Sequence, residues 1–180
     1  MRLFDRFFGK RIRVTPEQLG EVFYVAVLRI GQDFAQEFLR SEWAAEFRQR
    51  LNTTECNVEI IIFSLFSLEL IANEQFGSNA LVVRTALRHK VLEHFRHGGW
   101  SESSPQVLNH FIDNRFDQYT KAWKSTLGPQ GLIRLGDIAF RNIMGLPSAA
   151  PPNAAALFCT LRFGATMKGF ADIGSKYRVV

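Results

Sequence analysis

The sequence predicts an all-α fold: a single-domain bundle of about five to seven helices with basic arms at both ends. Three observations predict it. Apolar residues recur at threes and fours over long stretches. Short segments rich in capping residues, Gly and Pro separate those stretches. Phe is abundant, with 17 copies in 180 residues, and many sit at helical spacing, which reads as core volume. A chain of this length is long enough for one domain with a substantial core.

Residues 1–14 read as an amphipathic basic arm. Leu3, Phe4, Phe7 and Phe8 can share one helical face, with Arg2, Arg6 and Lys10 elsewhere on the turn. Gly9 interrupts it. The first long helix begins at Thr15-Pro16-Glu17-Gln18, where Thr15 fits the N-cap, Pro16 the first helical position and Gln18 the partner position of a capping box. Leu19, Phe23, Ala26, Ile30, Phe34 and Phe38 then form an apolar stripe. Ser41 starts a shorter helix, which the stretch RLNTTE breaks.

The next helix, over 54–76, holds the most apolar run of the chain, IIIFSLFSL at 60–68, bounded by Glu59 and Glu69. A membrane span needs about 20 largely apolar residues, so this run reads as a central helix covered by its neighbours. Gly77 terminates it, and Ser78 or Asn79 caps a helix over 79–97. Ser104 and Pro105 begin a fourth long helix over 105–125. LGPQG at 127–131 is a break, followed by a shorter helix through Leu135, Ala139, Phe140 and Ile143 that ends near Gly145. The helical body therefore spans 15–145. Residues 146–180 read as a second arm, opened by LPSAAPPN and containing one short ordered element, with Gly164, Gly169 and Gly174 weakening the rest.

Net charge is +5 and lies at the ends. Residues 1–13 carry five cations against Asp5, a net of +4. Residues 162–180 carry four against Asp172, a net of +3, which leaves −2 for 14–161. A body of that sign argues against a broad nucleic-acid surface, while basic arms suit phosphate or an anionic membrane. The two cysteines, Cys56 and Cys159, form no Cys-x-x-Cys pair and fit a reducing, cytoplasmic location. Cys56 falls in the first turn of its helix, where free amides can lower a thiol pKa, but no histidine neighbours it in sequence and an ordinary reduced cysteine is the expected reading.

Two constellations could carry chemistry. His89, Glu93 and His97 are spaced four apart on one helix side, with His110 on the following helix. Imidazoles with a carboxylate are suitable metal ligands, but His89 and His97 are about 12 Å apart along the helix and no His-Glu-x-x-His motif is present. The second group is the polar minority of the central helix: Glu55 with Glu59, and Glu69 with Asn73. A buried Glu69 needs a cation such as Arg84, Arg88 or Arg115, and Glu69, Arg84 and Arg88 together would suit a ligand. No dinucleotide fingerprint, phosphate loop or nucleophile elbow occurs.

The leading expectation is a non-catalytic interaction or scaffold protein that self-associates or meets a protein partner. Leu3, Phe4, Phe7 and Phe8 would supply apolar contacts, and Arg2, Arg6 and Lys10 the charge, with weak peripheral membrane contact as a further use of the same segment. The alternative is a protein that binds a small molecule or metal, with or without catalysis, between helices 54–76, 79–97 and 105–125. No cofactor other than such a metal is implied, and nucleic acid is not an expected partner.

Overall fold

The capping box at Thr15 forms as the sequence requires. The Gln18 amide donates to Thr15 Oγ1 at 3.3 Å and the Thr15 amide to Gln18 Oε1 at 2.9 Å. From this start α1 runs over Pro16–Arg40 in the computed structural model, which describes residues 11–47, 53–98, 104–125, 129–145 and 153–180. Further along are α2 (Glu42–Phe47), α3 (Thr53–Phe76), α4 (Ala80–His97), α5 (Pro105–Lys124), α6 (Pro129–Met144) and α7 (Asn153–Gly174). Two short strands, β1 (Ile12–Val14) and β2 (Tyr177–Val179), flank the helices. Among the described residues the fold is an all-α bundle of six long helices plus the short α2.

The central helix is where the apolar run predicts it. Cys56 and every residue from Val58 to Leu68 are buried on α3, as are Ile71 and Ala72. Helices α1, α4, α5, α6 and α7 all pack against it. A helix covered on every side needs its polar atoms satisfied internally. Ser64 and Ser67 do this by donating to the Ile60 and Phe63 carbonyls at 2.9 and 3.0 Å. Aromatic rings fill the space around it: Phe63 lies 5.2 Å from Tyr119 and 5.4 Å from Phe163 between ring centroids, at tilted or edge-on angles that ring quadrupoles favour. None of the described helices is long and apolar enough to cross a membrane.

Several boundaries differ from the sequence reading. The α1 stripe runs through Val27 and Gly31 instead of Ala26 and Ile30, which are only half-buried. Asn79 makes no capping hydrogen bond. Gly77, at φ +51°, opens a single tight turn over Gly77–Asn79 that runs straight into α4. Pro129 already belongs to α6, so the break closes earlier than LGPQG implies. Ser104 and Ser41 cap as expected, accepting from the Val107 and Ala44 amides.

The largest difference is at the C-terminal end. Residues 153–174 are not an arm with one short element but a 22-residue helix of the bundle. Its Ala155, Cys159, Phe163, Thr166 and Phe170 recur at fours and threes and are all buried. Helix α7 packs most extensively on α6, antiparallel to it. Thr160 Oγ1 donates to the Leu132 carbonyl at 2.9 Å, while a Cβ on Gly136 would strike the Ala156 carbonyl and the Thr160 hydroxyl. Gly136 is therefore what lets the two backbones approach.

The two basic ends meet. β1 and β2 form a parallel two-stranded ribbon with Ile12 opposite Tyr177, Arg13 opposite Arg178 and Val14 opposite Val179. The Ile12 amide donates to the Lys176 carbonyl at 2.9 Å and the Val180 amide to the Val14 carbonyl at 3.1 Å. Val14, Tyr177 and Val179 turn toward the core. Residues 1–10 and the proline-rich stretch 146–152 lie outside the described residues.

Candidate functional site

The one buried carboxylate among the described residues pairs with an arginine of a neighbouring helix. Glu59, 4% exposed, takes two hydrogen bonds from Arg115 Nε, at 2.7 and 3.0 Å, and one contact from Nη2 at 2.5 Å. The Arg115 guanidinium also sits 4.8 Å over the Phe111 ring. Burial raises the Glu59 pKa, with Arg115 opposing that rise. Deeper in, Asn142 donates to Tyr119 Oη at 3.4 Å and to Gln118 at 3.2 Å. This network ties α3, α5 and α6 together.

Glu69, Arg84 and Arg88, the expected ligand group, serve the same purpose. Arg84 reaches Glu69 at 3.8 Å, with both side chains about a quarter exposed at most. Arg88 donates from Nε to Asn109 Oδ1 at 2.9 Å, and from Nη2 to the Asn109 carbonyl at 3.0 Å and to Asp113 at 2.6 Å. Burial raises the Glu69 pKa, and Arg84 and then Arg88 oppose it. The three residues link α3, α4 and α5. Arg115 was the third expected partner of Glu69, but it pairs with Glu59.

The histidine track stays on the surface. His89 is 70% exposed and its Nδ1 lies 3.8 Å from Glu93. His97 Nδ1 donates to the Glu93 carbonyl at 2.7 Å, a local contact at the end of α4. His110 is exposed on α5. Among the described residues no group of three His, Cys, Asp or Glu side chains is placed to hold a metal ion. The expected set of His89, Glu93, His97 and His110 is not brought together, because eight residues of helix separate its ends.

Cys56 is a buried free cysteine, the ordinary thiol the sequence leads one to expect. Burial outweighs the amides of the first turn and pushes its thiol pKa up to about 12, with Glu59 adding to the rise. Cys159 is also buried, reduced and raised for the same reason. Neither is a thiolate at neutral pH.

Two features escaped the sequence reading. His94 is half-buried, within 3.3 Å of Tyr24 Oη, and burial lowers its pKa. It lines an open depression of about 220 Å³ with Thr54, Asn57, Val58, Ile61, Phe95 and Gly98. The depression lies between α3 and α4, without α5.

The other feature is an apolar flank on the α6–α7 pair. Ile133 follows Leu132 by one residue, Leu157 follows Ala156 and Leu161 follows Thr160. In two right-handed helices packed antiparallel, a step of one residue from the contact line turns to the same side on both. Ile133, Leu157 and Leu161 therefore share one flank, at 51%, 50% and 65% exposure. Gly164 and Ala165 continue it as small exposed residues, and the Asp137–Arg141 pair at 2.8 Å borders it. Leucines at i and i+4 are visible in the sequence, but only the packing of α6 on α7 shows which of their sides is open. No family model, curated protein or solved structure matches this chain.

Proposed function

We propose that this chain is a helical interaction protein that pairs with a second copy of itself through the α6–α7 flank. The observation that carries the reading is the set Ile133, Leu157 and Leu161, three large apolar side chains half or more exposed on one side of one helix pair. Scattered apolar residues are ordinary on a surface, but a contiguous set beside small residues and bordered by an ion pair is what a helix-packing interface requires. A two-fold contact uses the same patch on both copies and needs no other complement.

Sedimentation equilibrium tests it. The parent should be dimeric at micromolar concentration, and Leu157→Asp with Leu161→Asp should be monomeric with unchanged helical content. A parent that stays monomeric at the highest soluble concentration overturns the reading. The depression beside His94 favours the second reading, a small ligand held between α3 and α4. Changes of the Thr54, Asn57 and His94 resonances on adding a ligand library would direct attention there.

A further inference from the structure

The charge at the two chain ends reads as two separate arms, yet the parallel ribbon makes it one surface. In a parallel ladder, side chains alternate between faces, and directly paired residues project the same way. Val14, Tyr177 and Val179 lie on the face toward the helices, while Ile12, on the same face by register, is 56% exposed. Arg13 and Arg178 therefore form the opposite face, Arg11 and Lys176 immediately precede the two strands, and all four cations are exposed. Adjacent strands are about 4.8 Å apart, so Arg13 and Arg178 stand side by side.

Eight of the other cations have carboxylate partners: Arg84, Arg88, Lys90, Arg115, Lys121, Arg141, Arg162 and Lys168. None of the four ribbon cations has an ion pair among the described residues. Arg13 and Arg178 face each other directly across the ribbon, an arrangement that costs stability.

We infer that the outward face of the ribbon, Arg13 and Arg178, together with Arg11 and Lys176 just before the strands, docks the protein onto an anionic lipid surface. Charge complementarity supplies the attraction, since cations held at a surface of acidic headgroups each add to membrane affinity. Two observations select lipid over a nucleic acid. The outward face carries no aromatic ring to stack on a base and no amide to read one. The sequence just before the ribbon combines Leu3, Phe4, Phe7 and Phe8 with Arg2, Arg6 and Lys10, a composition that partitions into the bilayer interface. The net charge of −2 over 14–161 concentrates the attraction to an acidic surface at the chain ends.

The test is co-sedimentation of the full chain with vesicles of phosphatidylcholine alone or mixed with phosphatidylserine. Binding should require phosphatidylserine and weaken as salt rises. Arg13→Gln with Arg178→Gln removes two charges and relieves their repulsion, so the fold survives. It should lower vesicle partitioning about thirtyfold. Lys121→Gln with Lys124→Gln, two exposed cations of α5, should change it little. Equal binding to both vesicle types overturns the inference. So does loss of binding on deleting residues 1–10 with full binding in the ribbon variant, because the ribbon is then not the contact. Tight binding to a single-stranded oligonucleotide without vesicle binding overturns it as well.

Discussion

Glu59 and Arg115 show how one buried pair sets the chemistry of this interior. A carboxylate 4% exposed is costly, and its raised pKa says that burial outweighs even a guanidinium in direct contact. Removing the cation alone leaves that carboxylate uncompensated, so Arg115→Met should destabilise the protein by about 3 kcal/mol at pH 7. In the variant the folded-state pKa of Glu59 stands further above the ordinary 4.5. A group raised in the folded state contributes fully below its unfolded pKa and loses that contribution as pH rises through the folded value. The deficit against the parent should therefore shrink as pH falls from 7 toward 4.5, and Glu59→Leu with Arg115→Met should recover most of it. Urea melts of the three variants at both pH values read this directly. Cys56 illustrates the same balance. With its pKa pushed up to about 12 and its side chain buried, it should resist an aromatic disulfide reagent in the native state at pH 8, as should Cys159, and both should react at once in denaturant. Residue-scale chemistry was only partly legible in the sequence. That Glu69 needs an arginine follows from its apolar surroundings, but whether Arg84, Arg88 or Arg115 supplies it depends on how α4 and α5 cross α3. An ordinary thiol at Cys56 was legible from the lack of a neighbouring histidine, whereas the depth of burial that pushes its pKa up was not.

At the scale of elements, legibility followed the strength of local signals. Helices α1, α3 and α5 announce themselves through Thr15, the run at 60–68, and Ser104 with Pro105. Helix α7 does not. Its glycines at 164, 169 and 174 lower local helix propensity, yet Ala155, Cys159, Phe163, Thr166 and Phe170 bury a full stripe against α3 and α6. Tertiary packing overrides propensity here, and the glycines mark different roles. Nothing lies within 4 Å of a Cβ placed on Gly164, so Gly164→Ala should stabilise the chain by about 1 kcal/mol through helix propensity alone. A Cβ on Gly136 collides with the Ala156 carbonyl, which is backbone and cannot rotate away. Gly136→Ala should cost about 2–3 kcal/mol by prising α6 from α7. Thermal melts of the two alanine variants should thus move in opposite directions. Because the proposed self-association flank is defined by the α6–α7 contact, Gly136→Ala should also weaken dimerisation, while Leu157 and Leu161 themselves are untouched.

At the scale of the whole molecule, the ribbon closes the chain on itself. It joins Ile12 to Tyr177, a pairing no local pattern could reveal, since IRV and YRV are each too short to read as strands. The sequence showed the charge of both ends but not that they meet. Deleting residues 176–180 should remove the cover over Val14 and the contacts of Tyr177 and Val179, a loss of about 3 kcal/mol from apolar burial. For a chain of this size that lowers Tm by roughly 6–12 °C, with the helices otherwise intact. The charge on the ribbon works against that closure. Arg13 faces Arg178 across one pair of hydrogen-bonded strands, so Arg178→Gln should stabilise the ribbon by about 0.5 kcal/mol at low ionic strength. Salt screens like charges on an exposed face, so the gain should fade as ionic strength rises above physiological. Hydrogen exchange at the Ile12 and Val180 amides, which donate to the Lys176 and Val14 carbonyls, is the direct readout. Slower exchange in the variant at low salt, converging with the parent at high salt, means that the parent keeps four cations together at the expense of its own fold. That cost is recovered when an anionic surface neutralises the same face, so acidic vesicles should slow exchange at these two amides in the parent and much less in the variant.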